Sequence, residues 1–330
     1  MAFALAVACI SGCSASGSPA ADSTPVRGDE KVPELTVIVD GLDHPTQFAN
    51  GPDGTLVIAQ LAGGESDESG EVVVVDVVAG TRRTLMTGLD KPTGVLWHDG
   101  VLWVMVRRGL VSADWPDAAS DVGPTTIVLR DLPFNGRSQG TLTLLDDGRF
   151  LYETTGNIIA GTVEEGSGTL WAFDPATNSS KVVATGIKNA YGHALLADGR
   201  IVTTDIGDNN ADPPVDELDV LPMGSDPSHL GWPQCPGETD CDGVVRPLAL
   251  FAPRSTPTSV AVVGDDVYVT LFVTGQLMRV SLAGWTTGDA PREAVEIAHD
   301  LAGPHTILAR PDGTLWISEH FTGRLVAITP

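Results

Sequence analysis

Apolar and polar positions along this chain fall into short runs of strand character. GTLVIAQ at 54–60, GEVVVVDVV at 70–78 and GVLWVMV at 100–106 are Val-, Leu- and Thr-rich segments bounded by Gly, Asp or Pro. Runs of that length and composition, punctuated that way, predict β-strands joined by tight turns. No long stretch carries the period of an amphipathic helix.

The runs repeat. Six segments share one pattern: GLDHPTQFANGPDGTLVIAQ from Gly41, GLDKPTGVLWHDGVLWVMV from Gly88, LPFNGRSQGTLTLLDDGRFLYET from Leu132, GIKNAYGHALLADGRIVTT from Gly186, RSTPTSVAVVGDDVYVT from Arg254 and DLAGPHTILARPDGTLWIS from Asp300. Each reads as a strand, an Asp-Gly-type turn and a second strand. The turn aspartates are Asp53, Asp99, Asp147, Asp198, Asp265 and Asp312, a spacing of 46 to 51 residues with one interval of 67. Third strands (GTLWAFDP, GQLMRVSL, GRLVAITP) and fourth strands (TRRTLMTG, TTIVLRDL, EAVEIAHD) follow. A period near this value with four strands per unit predicts an all-β fold, a six-bladed β-propeller of four-stranded antiparallel blades. The last unit ends after its third strand, and ELTVIVDGL from Glu34 has the pattern of the missing one. Pairing this N-terminal strand with the last blade would close the ring over 33–330 and leave no open edge.

Charge narrows the partners. The net charge of −24 opposes binding to phosphate backbones or anionic lipid, so no nucleic acid partner is expected. A monomer with a small-molecule ligand is the expectation. Residues 1–12, MAFALAVACISG, read as the apolar core of a signal peptide that lacks its usual basic start. Ile10-Ser11-Gly12-Cys13 resembles the bacterial lipobox, which would make Cys13 a diacylated N-terminus; an ordinary signal peptide with an incidental cysteine is the alternative. Residues 13–32 then form a polar tether. This describes an exported lipoprotein on the extracytoplasmic face, touching the membrane by its anchor alone. Cys235 and Cys241 lie six positions apart, and an export route permits them to form a disulfide.

Loops that lead into each first strand, and those that follow each second strand, open on one face of a propeller. They bring Arg137, Lys188, Asn189, Arg254 and the histidines His44, His305 and His320 to one rim. The acidic run DIGDNNADPPVDE from Asp205 reads as a loop; Asp205 and Asp208 are candidate calcium ligands, although the run lacks EF-hand spacing. Asp43, Asp90 and Asp205 are the carboxylates available to a calcium-dependent lactonase of another propeller type. Gly136-Arg137-Ser138-Gln139-Gly140 matches a nucleophile elbow, but a strand follows it where that elbow needs a helix.

ATGIKNAYGHALLADGRIVTTDIGD, VDELDVL and LGWPQC, with the RFLYETTGN segment upstream, resemble in their order the soluble quinoprotein glucose and sorbosone dehydrogenases. That resemblance implies an oxidoreductase that binds pyrroloquinoline quinone and Ca2+ on the axis and takes a hydride from a sugar or polyol. It implies that Lys188 and Asn189 touch the quinone, and Arg137 and Arg254 would join them as cofactor-binding cations. The catalytic histidine of that family falls at Arg137 here. A guanidinium stays protonated to about pH 12 or above and cannot act as a base, which leaves His44, His305 and His320 as candidates. A non-catalytic propeller that binds an acidic ligand or a protein partner is the alternative.

Overall fold

The computed structural model describes residues 34–63, 68–208, 210–222, 224, 226–237 and 241–330. The signal peptide, Cys13 and the tether lie outside the described residues. Among the described residues no helix is long and apolar enough to cross a membrane.

Six antiparallel sheets succeed one another along the chain. The first blade pairs Pro45–Asn50, Leu56–Gln60, Gly70–Asp76 and Thr81–Leu89 in that order. The second uses Gly94–His98, Val101–Val106, Gly109–Asp114 and Thr126–Leu129. The third uses Thr143–Leu144, Phe150–Thr154, Thr169–Asp174 and Ser179–Thr185, and Ser228–His229 adds a parallel edge. The fourth is built from His193–Leu195, Ile201–Asp205, Asp216–Leu221 and Ala249–Phe251. The fifth is Pro257–Val263, Asp266–Leu271, Gln276–Ser281 and Val295–Ala298. In the sixth, Pro304–Ala309, Leu315–Glu319 and Arg324–Ile328 are completed by Thr36–Val39, with Thr36 opposite Ala327 and Val37 opposite Val326.

The turns that link first to second strands work as their residues dictate. Asp53 and Asp99 adopt left-handed backbone, φ 55° and 49°, ahead of Gly54 and Gly100. The carboxylates of Asp147, Asp198 and Asp312 accept the N–H two residues on, at 3.1, 3.0 and 3.0 Å, the local bond that favours Asp in turns.

Apolar cores lie between successive blades. Val57, Val72, Val95 and Val104 join the first two blades, Trp103, Phe150 and Phe173 the next two, and Val220, Val267 and Val269 the fourth and fifth. Blades are thus covered on both faces, so a run such as VVVV is buried throughout instead of alternating.

A ring of hydroxyls ties the inner strands together at the axis. Thr46 Oγ1 donates to Pro92 O (2.9 Å), Thr93 to Gly140 O (3.4 Å), Thr141 to Tyr191 O (3.0 Å), Thr258 to Pro304 O (3.0 Å) and Thr306 to Thr46 O (2.7 Å). Each bond joins a blade to its successor. The fourth blade has Gly192 in this ring, and there a Cβ would meet Ser259 Cα at 2.5 Å. Backbone approach replaces the hydroxyl at that one junction.

Candidate functional site

Proline and bulged pairing shape the axial end of the inner strands. Register breaks between Pro45 and Phe48, Pro257 and Ser259, and Pro304 and Ile307. The residue before the proline that starts or leads into these inner strands is left-handed: His44 (φ 52°), Lys91 (50°), Thr256 (62°) and Gly303 (65°). Non-glycine residues hold that conformation at a cost, and bulges re-aim side chains. Equivalent positions of four blades are presented to the same end of the axis.

There the strands enclose a cavity of about 230 Å³ lined by Lys91, Arg137, Asn189, Tyr191, His305 and His320, with Phe272 and Ser138 beside them. The opposite end of the axial channel, about 370 Å³, is walled chiefly by Phe48, Leu96, Leu142, Val260, Ile307 and Leu308. Lys91, Arg137, His305 and His320 converge on the first of these, whereas the second has the single buried imidazole of His193. Two positive side chains in a concave, mostly buried setting suit an anionic ligand, and several rings suit a planar one.

Imidazoles and aromatic rings occupy the side of the sixth and first blades. His305 stacks on His320 at 5.5 Å between centroids, and His320 meets His44 edge-on at 5.0 Å. Phe272 packs against both His305 and His320, at 5.5 and 5.6 Å. His320 Nδ1–H donates to Pro45 O (3.2 Å), and His305 Nε2 lies 3.3 Å from the Tyr191 hydroxyl. His305 titrates well below an ordinary imidazole, first because it is buried and then because His320 and Lys91 add positive charge nearby. It is a neutral ring at physiological pH. His44 is half-exposed and donates Nδ1–H to Asp43 Oδ1 at 2.6 Å.

Carboxylates occupy the side of the third and fourth blades, and Glu153, Asp205 and Asp216 among them accept backbone N–H groups. Asp205 accepts the N–H groups of Lys188 (2.9 Å) and Asn189, and Glu153 accepts Asn189 Nδ2 and the Ala190 N–H (2.9 Å). Together they fix the Lys188–Ala190 loop and set Asn189 into the cavity wall. Asp216 accepts Gly207 N–H (2.8 Å), Thr256 N–H (2.9 Å) and the Ser255 hydroxyl (3.1 Å), clamping the loop that enters the fifth blade. Burial pushes Asp205 up to about 7, against the pull of its two amide donors. Burial, with the charge of Asp205, lifts Glu153 well above the carboxylate range. Asp219 is also lifted by burial and by Asp205, and neither of its oxygens has a hydrogen-bond partner among the described residues.

Several expected site residues are placed differently. Arg137 and Asn189 line the cavity. Lys188 does not; its Nζ donates to Gly156 O (3.0 Å), lies 3.5 Å from Asp208 Oδ2 and sits over the Trp232 ring at 5.0 Å. Alternation sends it to the face opposite Asn189. Arg254 is exposed, left-handed at φ 65°, and outside the cavity lining. Asp205 and Asp208, the candidate calcium ligands, are both engaged within the protein. Asp205 accepts the amides of Lys188 and Asn189, and Asp208 meets Lys188, Asn210 N–H and Trp232 Nε1. Among the described residues no three His, Cys, Asp or Glu side chains are grouped to hold a metal. The run from Asp205 is only partly a loop, since Asp216 and Glu217 begin a buried strand. Asp43 and Asp90 are engaged separately by His44 and by Arg107 (2.7 Å), so the lactonase triad does not form. Cys235 and Cys241 form a disulfide. Lys91, Tyr191 and Phe272 were not singled out as ligand contacts; for Lys91 the signal was there, at the same pre-proline position as His44.

No protein-family model matches this sequence, and no curated protein matches it. The fold has close counterparts among solved structures. The PQQ-bound form of an aldose sugar dehydrogenase from Streptomyces coelicolor superposes with a TM-score of 0.74 at 16% identity, over 93% of this chain and 99% of that one. The calcium structure of a Trichoderma reesei carbohydrate-active enzyme of family AA12 gives 0.74 at 16%, over 93% and 97%. The holo PQQ domain of a pyranose dehydrogenase from Coprinopsis cinerea gives 0.67 at 14%, over 91% and 98%. At this identity the likeness establishes the propeller fold and its near-complete coverage.

Proposed function

We propose that this chain is a quinone-dependent oxidoreductase acting on a sugar or polyol. One observation carries the reading: the axial cavity, in a propeller shaped like the PQQ-bound sugar dehydrogenase, sets Lys91 and Arg137 against the rings of His305, His320 and Tyr191. The residues fit an anionic, planar quinone. Arg137 offers a bidentate fork to a carboxylate and Lys91 a point charge. Asn189 is fixed by Glu153 and Asp205, so its position costs no reorganisation when a ligand arrives. When bound, the quinone supplies the hydride acceptor. The chain's own task is to hold it, exclude water with Phe272 and Tyr191, and receive the hydroxyl proton on the imidazole side. Among the described residues no side-chain cluster is grouped for calcium.

Titration of the purified protein with pyrroloquinoline quinone, with and without calcium, followed by dye reduction with aldoses, tests this. Saturable absorbance of bound quinone and aldose-dependent dye reduction are expected. No spectral change at any ratio would overturn the reading.

Arg137 at the place of the family's histidine favours a second reading, a surface propeller that binds a small acidic ligand without turnover. Quinone binding without dye reduction would select it. Either way the expected setting is extracytoplasmic, with a lipid anchor at Cys13, a monomeric chain, and no nucleic acid partner. The Cys235–Cys241 disulfide supports an oxidising compartment. Palmitate labelling tests the anchor, and an unlabelled protein would exclude it.

A further inference from the structure

The oxidation needs a base, and Arg137 cannot serve. We propose that His44, oriented by Asp43, is that base. The assignment rests on the oxidoreductase reading and deepens it.

Each imidazole at the site can be weighed by its nitrogens. His305 has Nε2 against the Tyr191 hydroxyl, while Nδ1 is buried out of contact with solvent. His320 donates Nδ1–H to Pro45 O, and its ring is enclosed by His44, His305, Phe272 and Phe321. His44 alone combines an exposed ring with a carboxylate orienter. Its side chain is 43% exposed, and the 2.6 Å bond to Asp43 fixes the proton on Nδ1. Nε2 therefore carries the lone pair, the arrangement a general base requires.

The orienter is itself held. Asp43 N–H donates to Gln60 Oε1 (3.1 Å), and Gln60 Nε2 donates to Glu71 Oε2 (3.0 Å). Leu61 N–H and Ala62 N–H donate to the carbonyls of His44 and Asp43, at 3.1 and 3.2 Å. The loop is thus pinned to the end of the second strand of its blade. Repeat symmetry supplies the direction. His44 and Lys91 are the same position of adjacent blades, each left-handed before the proline of its inner strand, and Lys91 lines the cavity. His44 lies just outside that lining, edge-on to His320, which belongs to it. In the reaction the substrate carbinol loses a hydride to the quinone and its hydroxyl proton to His44 Nε2, leaving a carbonyl. The base has been moved around the axis from the third blade to the first.

The test uses the full chain and the variants His44→Gln, Asp43→Asn and His320→Gln, each followed by quinone absorbance, by dye reduction, and by 15N NMR of the imidazoles. His44→Gln is expected to bind quinone within about threefold of the parent and to lose roughly 100- to 1,000-fold in kcat, the usual contribution of a general base. Asp43→Asn is expected to lower kcat about tenfold with KM unchanged and to shift the His44 tautomer from Nδ1–H, a signature that a merely structural role would not move. Turnover within threefold of the parent in His44→Gln overturns the assignment while leaving the oxidoreductase reading intact. So does loss of turnover confined to His320→Gln, or a parent spectrum with His44 Nδ1 unprotonated. A parent that binds no quinone overturns both.

Discussion

Around the axial cavity, the third and fourth blades contribute carboxylates and the sixth and first contribute imidazoles, and the two sides use their polar groups in opposite ways. Glu153, Asp205 and Asp216 are buried and point at backbone N–H groups, so their hydrogen-bonding capacity is consumed in fixing loops. His44, His305 and His320 pack ring against ring and rise from the buried axis to the surface. The same repeat thus yields a scaffold side and a side with a group left over for chemistry. What differs is the partner. A carboxylate that meets backbone donors of the next loop becomes part of the frame, whereas His44, edge-on to His320 and bonded through Nδ1 to Asp43, presents a half-exposed ring.

Breaking the clamp should produce the largest change in stability. Asp216→Ala removes a buried acceptor of three hydrogen bonds and strands the Gly207 and Thr256 N–H groups and the Ser255 hydroxyl. Unfolding by denaturant is expected to show a loss of about 3 kcal/mol. A loss under 1 kcal/mol would mean that this side is no more of a scaffold than the other.

A second probe uses pH. The proton is held more tightly by folded Asp219 than by the unfolded chain, because burial and Asp205 raise its pKa. Folding therefore retains a proton that the unfolded state releases, and this group's contribution falls as pH rises from the unfolded value near 4 towards the folded one. Asp219→Asn removes that slope. Relative to the parent, the variant is expected to gain stability as pH rises from 5 to 7. Parallel stability curves would place the buried charge elsewhere.

Much of this frame was legible in the sequence, because Asp-Gly turns and Pro-Thr pairs recur with the blade period. The hydroxyl ring shows why that period is kept: Thr46, Thr93, Thr141 and Thr258 each bond to the next blade. Thr46→Val keeps the shape and deletes one such bond, so a loss of about 1 kcal/mol is expected from denaturant unfolding; an unchanged midpoint would leave the ring without an energetic role. The site was legible only in part. Arg137, Asn189 and the three histidines could be named from their loops. Lys188 could not be told from its neighbour, since one step along the chain decides which side chain faces the axis. Asp216, Glu217 and Asp219 look like solvated charges in any sequence reading, because burial of a carboxylate depends on donors that arrive from distant loops.

The smallest expected effect separates the two sides most directly. Phe321 is 64% exposed at the rim of the imidazole side, resting on Phe272 at 5.2 Å and His320 at 5.3 Å. An exposed ring already in contact with water forfeits little transfer energy when truncated, and the rings beneath it are held by their own strands. Phe321→Ala is therefore expected to unfold within about 0.5 kcal/mol of the parent in denaturant. If it lost 2 kcal/mol or more, the rim of the sixth blade would be framework like the carboxylate side, and the contrast on which the placement of the chemistry depends would not hold.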